Sequence, residues 1–188
     1  MLKVSTSDLW VTSVLDNFDE FLIDHAANER KASAVAMSMI AHYPDRPELL
    51  TQMLDLALEE LNHFRQVMKL ILSRGITPTS DEKDPYVNQL IKHVRKGSEV
   101  YFLDRMLSGA VIEARGAERF GLIAEAHSDE SMRRFYDSLA RSEAGHHQLF
   151  LDLAGIYFDE QTITQRWQEW LSIEADIITN LPIRPRLH

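Results

Sequence analysis

Two copies of one pattern of acid and histidine constrain this chain more than any other feature. Glu60-Leu61-Asn62-His63 and Glu143-Ala144-Gly145-His146 each place a carboxylate and an imidazole three residues apart. In a helix that spacing is about 300° of rotation and about 4.5 Å of rise, so both groups leave one face a turn apart. Glu29 stands 31 residues before Glu60, and Glu113 stands 30 before Glu143. The halves repeat at 84 and 83 residues, giving Glu and then Glu-x-x-His, twice. Composition alone would supply roughly 0.6 pairs at this spacing, so the repetition carries the information.

Helical periodicity surrounds each of these acids. The pattern predicts one helix over about 16–43 with an inward stripe of Phe18, Leu22, His25, Glu29, Ala32, Ala36, Met39 and Ile40. A second runs from Pro47, a favourable first-turn residue, to Arg74, where Gly75 stops it. A third covers about 98–127 around Glu113, and a fourth about 128–158 around Glu143. Ser7-Asp8 suits the cap of a short opening helix, 86–95 a short helix within the long connection, and 161–178 a final amphipathic helix. Each of the four long helices is about 28 residues, roughly 42 Å, with its acid near the middle. The short first and third connections make antiparallel hairpins, while the second is long enough to run the length of a bundle. The expected fold is all-α: a ferritin-like four-helix bundle with one long crossover connection and extra short helices at the crossover and C-terminus. The whole chain, 1–188, reads as a single domain.

Four carboxylates at one level of a core need compensation, because burying even one ionised carboxylate costs several kcal/mol. Two divalent ions supply +4 against −4, and two neutral imidazoles complete the donor set. Six protein ligands for two metals leave coordination positions for oxygen or solvent, and Glu/His donors suit iron or manganese. Cysteine is absent, which removes disulfides, thiolate zinc sites, iron–sulfur clusters and a built-in rubredoxin centre.

Acids at positions 8, 16, 19 and 20 argue against a secretory leader, and no apolar run approaches the roughly 20 residues of a membrane span. A cytoplasmic location is the expectation. The formal charge of −9 is unevenly spread. Residues 65–96 carry Arg65, Lys69, Arg74, Lys83, Lys92, Arg95 and Lys96 against three acids, a local +4 that leaves −13 elsewhere. Glu118 and Glu125 read as surface acids, His25 as a satisfied core histidine, and Arg115 and Arg119 as solvated or paired with acids.

The segments 24–32 (DHAANERKA), 58–64 (LEELNHF), 112–120 (IEARGAERF) and 142–146 (SEAGH) resemble the MiaE family of tRNA methylthio-isopentenyl-adenosine hydroxylases. The resemblance runs from about residue 8 to the final helix, and the neighbours of Glu29 and Glu113 are its most specific part. It implies an O2-dependent, non-haem di-iron monooxygenase that hydroxylates the isopentenyl tail of an adenosine beside the tRNA anticodon. Two iron ions would be held by Glu29, Glu60, His63, Glu113, Glu143 and His146, with electrons arriving from an external reductase. In related di-iron oxygenases the acid before the Glu-x-x-His pair steadies a ligating histidine of the opposite pair. Glu59 would then support His146, whereas Ser142 departs from the acidic pattern. The substrate base would enter unstacked from its loop, with Arg65, Lys69, Arg74, Lys92, Arg95 and Lys96 as candidate phosphate contacts. An iron-oxidising or storage protein of the ferritin type, and a manganese catalase, use the same donor set and stand as alternatives.

Overall fold

The computed structural model describes residues 1–188 and is helical throughout, with no strand. Its elements are α1 Asp8–Asp16, α2 Phe18–His42, α3 Pro47–Ser73, α4 Pro85–Ile91, α5 Ser98–Ala126, α6 Glu130–Tyr157 and α7 Glu160–Asn180. No helix is long and apolar enough to cross a membrane. The expected first long helix begins at Phe18, just after Asn17, whose φ −129° and ψ 43° leave the helical region and separate it from α1 while its carbonyl accepts from Phe21 N at 3.1 Å to start α2. The expected helix over 86–95 ends early, at Ile91, for a reason given below. The chain divides into two compact units, residues 16–82 with 184–187, and residues 1–15 with 83–183 and 188.

The first unit is the α2–α3 hairpin. Pro47 opens α3 where its missing N–H costs nothing, and Gly75 follows the helix at φ +70°, a conformation that side chains disfavour. Leu22, Met39, Leu49, Met53, Val67 and Ile71 are fully buried along the facing stripes. Ser33 Oγ donates to the Ala57 carbonyl at 2.8 Å, pinning the two helices midway. Arg74 closes the far end by donating Nε and Nη2 to Asp19 Oδ1 at 3.0 and 2.8 Å. The tail returns here: Arg186 Nη1 lies 2.7 Å from Glu20 Oε1, and Leu187 N donates to Asp24 Oδ2 at 2.8 Å.

The second unit is built on α5. It pairs with α6 across the short link 127–129, where Asp129 caps α6 by accepting from Ser131 N at 2.7 Å. Two buried charge networks then fix the smaller elements. Asp104, fully buried, accepts from Arg95 N at 2.8 Å, from the Arg95 guanidinium at 2.8 and 3.0 Å, and from Arg166 Nε and Nη2 at 2.8 Å. Arg166 also donates to the His93 carbonyl at 2.9 Å. These bonds take the Arg95 N–H and the His93 carbonyl out of the helical pattern, after Lys92, His93 and Val94 close the last turn by i→i−3 bonds, which is why α4 stops short. Arg115, fully buried on α5, donates to Glu174 of α7 at 2.8 Å, to Glu118 and to the Val4 carbonyl at 2.8 Å. Arg115 and Arg119 are therefore core residues with acid and aromatic partners: the Arg119 guanidinium lies 4.5 Å from the Trp10 ring centroid. Burial, with Arg115 nearby, lowers Arg119 to about 10. Glu118, expected at the surface, is part-buried and accepts from Thr6 N and Oγ1 at 2.9 and 2.7 Å. Glu125 is exposed as expected.

Candidate metal centre

Each unit carries one complete triad of the repeated pattern. In the α2–α3 hairpin, Glu29, Glu60 and His63 are 3%, 1% and 7% exposed. His63 Nδ1 lies 3.6 Å from Glu29 Oε2 and 3.5 Å from Glu60 Oε2. In the second unit, Glu113, Glu143 and His146 are 7%, 6% and 4% exposed. His146 Nδ1 lies 3.8 Å from both Glu113 Oε2 and Glu143 Oε1. The same imidazole nitrogen faces the same pair of acids in both triads, as the repeat requires. Each imidazole keeps its other nitrogen toward the residue one turn earlier. His63 Nε2 is 3.9 Å from Glu59 Oε1, so the acid that the resemblance assigned to His146 lies beside the histidine of its own pair, one turn along the same helix; His146 Nε2 is 3.5 Å from Ser142 Oγ.

These separations fit a bound cation. Two ligand atoms about 2.1 Å from one ion lie about 3.0 Å apart at a right angle and about 4.2 Å apart when opposed. The four nitrogen–oxygen distances of 3.5–3.8 Å fall between those limits. Gly116 supplies further evidence of a fitted cradle: a Cβ there would fall 3.1 Å from Glu143 Oε2, in the space the carboxylate uses. The protonation preferences agree. Burial raises Glu29 above the usual carboxylate range against the pull of His25 and His63. Burial opposes charge on His63, yet hydrogen bonding and attraction from Glu29 and Glu60 outweigh it and raise His63 to about 9. Both shifts retain protons in the triad, and a metal ion would displace them.

His25, read from the sequence as a core histidine, is fully buried and partnered: its Nε2 lies 2.6 Å from Glu29 Oε1. The spacing of four residues was visible in the sequence, but Gly116 beside Glu143 was not, because the two lie on different helices. The candidate phosphate contacts divide between the units. Arg65, Lys69 and Arg74 lie on or at the end of α3, with Arg74 engaged by Asp19; Lys92, Arg95 and Lys96 lie between α4 and α5, with Arg95 engaged by Asp104. Arg65, Lys69, Lys92 and Lys96 are exposed. The α2–α3 unit also contains a cavity of about 530 Å³, with Ile23, Ala26, Ala27, Phe64, Met68 and Ile71 among its walls. Its lining includes sequence neighbours of two candidate ligands, Ala26 and Arg30 on either side of Glu29 and Phe64 after His63, but neither Glu29 nor His63 itself, and it carries charged groups such as Asp24, Arg30 and Glu82.

Comparison with known proteins extends these observations to the whole chain. The family model described as tRNA-(MS[2]IO[6]A)-hydroxylase (MiaE) matches residues 1–188. A Pseudomonas putida protein named tRNA 2-(methylsulfanyl)-N(6)-isopentenyladenosine(37) hydroxylase is 37% identical over 187 residues, covering 100% of this chain and 91% of that one. A Salmonella typhimurium protein of the same name is 36% identical over 141 residues, 75% of this chain and 52% of that one. Among solved structures, a Synechococcus protein described as having aldehyde deformylating oxygenase activity has a TM-score of 0.95 at 35% identity, covering 100% of this chain and 94% of that one. The fold is the ferritin-like helical one expected from the repeat, and the chain belongs to the MiaE family of tRNA hydroxylases.

Proposed function

We propose that this protein is a di-iron monooxygenase that hydroxylates the isopentenyl group of methylthio-isopentenyl-adenosine beside the tRNA anticodon. It would use O2 and electrons from an external reductase. The observation that carries the reading is the pair of buried Glu, Glu, His triads with matching nitrogen–oxygen geometry, in a chain aligned end to end with the family. Glu29, Glu60, His63, Glu113, Glu143 and His146 would hold two iron ions, whose charge cancels that of the four carboxylates; manganese suits the same donors. Bound iron supplies the O2 chemistry that no side chain here provides.

The chain's own groups prepare that chemistry. A metal ion held through Nδ1 would leave each imidazole proton on Nε2, where Ser142 Oγ could accept it for His146 and Glu59 Oε1 lies in the same direction for His63. Burial of both triads keeps bulk water from the donors and strengthens every electrostatic contact among them. The cavity of the α2–α3 unit, which neither Glu29 nor His63 lines, pairs apolar side chains such as Ile23, Phe64 and Met68, able to meet the prenyl group of an unstacked base, with a charged rim that includes Asp24, Arg30 and Glu82, and its volume lies in the ordinary range for small-ligand sites. Lys92 and Lys96, with Arg65 and Lys69, would meet the tRNA phosphates.

Mass spectrometry of tRNA nucleosides from a strain lacking the protein tests the reading. The modified adenosine should be one oxygen short, and persistence of the hydroxylated nucleoside would refute it. The apolar part of that cavity's lining also favours a second reading, an alkyl aldehyde as substrate, in keeping with the aldehyde deformylating oxygenase activity ascribed to the Synechococcus protein. Incubating the iron-loaded protein and a reductase with a medium-chain aldehyde, and assaying alkane and formate, separates the two.

A further inference from the structure

The two triads share their ligands but not their surroundings. Four residues before Glu29 stands His25, fully buried, with Nε2 2.6 Å from Glu29 Oε1 and its ring 5.8 Å from that of buried Phe21. Glu29 Oε2, the other oxygen, faces His63 Nδ1 at 3.6 Å. Four residues before Glu113, the repeat-related position is Gly109, which has no side chain to offer. Nor does the packing leave room for one: a Cβ at Gly109 would fall 2.9 Å from the Phe150 ring. The difference recurs one turn away. Gly116 leaves space for the Glu143 carboxylate, whereas the repeat-related residue in the other half is Ala32.

We propose that His25 is a positioning residue which engages one oxygen of Glu29, so that this carboxylate offers a bound metal ion only Oε2, and that the two metal positions are thereby unequal. A carboxylate with one oxygen held by a buried N–H must bend or break that bond to pivot between one- and two-oxygen binding, which favours metal binding through the other oxygen. Glu113 has no such tether at the corresponding position, so its carboxylate is the one able to change its mode of binding.

The inference rests on the di-metal reading, and the experiment separates the two. The metal-free full-length protein is titrated anaerobically with ferrous iron, and with Mn(II) as a redox-silent probe, by calorimetry. Wild-type protein should take two ions per chain with resolvably different affinities. His25→Leu keeps the apolar volume and removes the donor; it should weaken one of the two ions by about 10- to 100-fold and leave the other within a few fold. His25→Gln, which returns an N–H at similar reach, should recover most of that loss. Circular dichroism confirms that each variant is folded, and should His25→Leu not fold, wild-type against His25→Gln is still informative, because near wild-type affinities are expected there. Two ions of wild-type affinity in His25→Leu would overturn the proposal. So would equal weakening of both ions, or a folded His25→Gln that binds as poorly as His25→Leu. If wild-type protein binds no metal, the di-metal reading itself fails.

Discussion

Gly116→Ala should move stability and metal affinity in opposite directions. Gly116 is buried within α5, and an added Cβ would meet Glu143 Oε2 at 3.1 Å, Cγ at 3.7 Å and Cδ at 3.8 Å. Relaxed C–H···O contacts are about 3.3 to 3.6 Å, so the carboxylate oxygen must retreat by about 0.2 to 0.5 Å. In the metal-free protein that retreat is a rotation at the end of a side chain. The helix meanwhile gains about 0.5 to 1 kcal/mol from replacing glycine. Melting of the metal-free variant should therefore hold or rise, by about 1 to 4 °C for a chain of this size. With metal the same retreat exceeds the roughly 0.2 Å tolerance of a ligand bond. A loss of about 10- to 100-fold in affinity for one ion is expected, about 1.4 to 2.7 kcal/mol. Differential scanning calorimetry of the stripped protein and a chelator competition with Mn(II) read the two effects separately. Unchanged metal affinity, or a metal-free variant melting several degrees below wild type, would refute the reasoning that Gly116 exists to seat a ligand.

Glu113→Ala or Glu143→Ala should each lose at least one metal per chain by elemental analysis and abolish hydroxylation, and stripping metal from the wild type should lower its melting temperature. Arg115→Leu should cost about 3 to 5 kcal/mol in urea unfolding, because it strands the fully buried Glu174; adding Glu174→Leu should recover much of it. Burial would raise Asp84, but His188 and the N–H groups of Tyr86 and Val87 outweigh it and lower it to about 2. Since that lies below the unfolded value near 3.8, its contribution of about 2 kcal/mol is complete above about pH 4 and lost as pH falls toward 2. Urea midpoints measured from pH 2 to 6 should show that loss in the wild type and not in Asp84→Ala. Charge reversal at Lys92 and Lys96 together should weaken tRNA binding and flatten its salt dependence while metal content stays normal, read by filter binding at several ionic strengths. Arg95 is left intact in that variant, because its guanidinium holds Asp104.

Most of the candidate site's geometry was legible from the chain because its determinants are local or periodic. A carboxylate and an imidazole three residues apart share a helix face wherever the helix forms, and Glu60–His63 and Glu143–His146 do. The repeat placed Glu29 and Glu113 at matching depths on α2 and α5, and both are buried. Pro47, Gly75 and the short links marked the hairpins. His25 lay within reach of the same logic, one turn before Glu29, but an apolar-face histidine reads the same from sequence whether it meets a carbonyl or a ligand carboxylate.

The rest was decided by partners far apart in sequence. Arg115 reaches Glu174 across 59 positions and Arg166 reaches Asp104 across 62, so no periodicity announces either bond. That is why Arg115 read as either solvated or paired and 92–95 as more helix, when one is a buried tie to α7 and the other a length of chain held by Asp104. Sequence determined which faces the ligands take, since a helix repeats its own geometry. Only tertiary packing decided which candidate carboxylate meets a buried histidine, His25 beside Glu29, and which is given room, Glu143 by Gly116, because a hydrogen bond or a missing methyl acts over a few ångströms that only folding brings about.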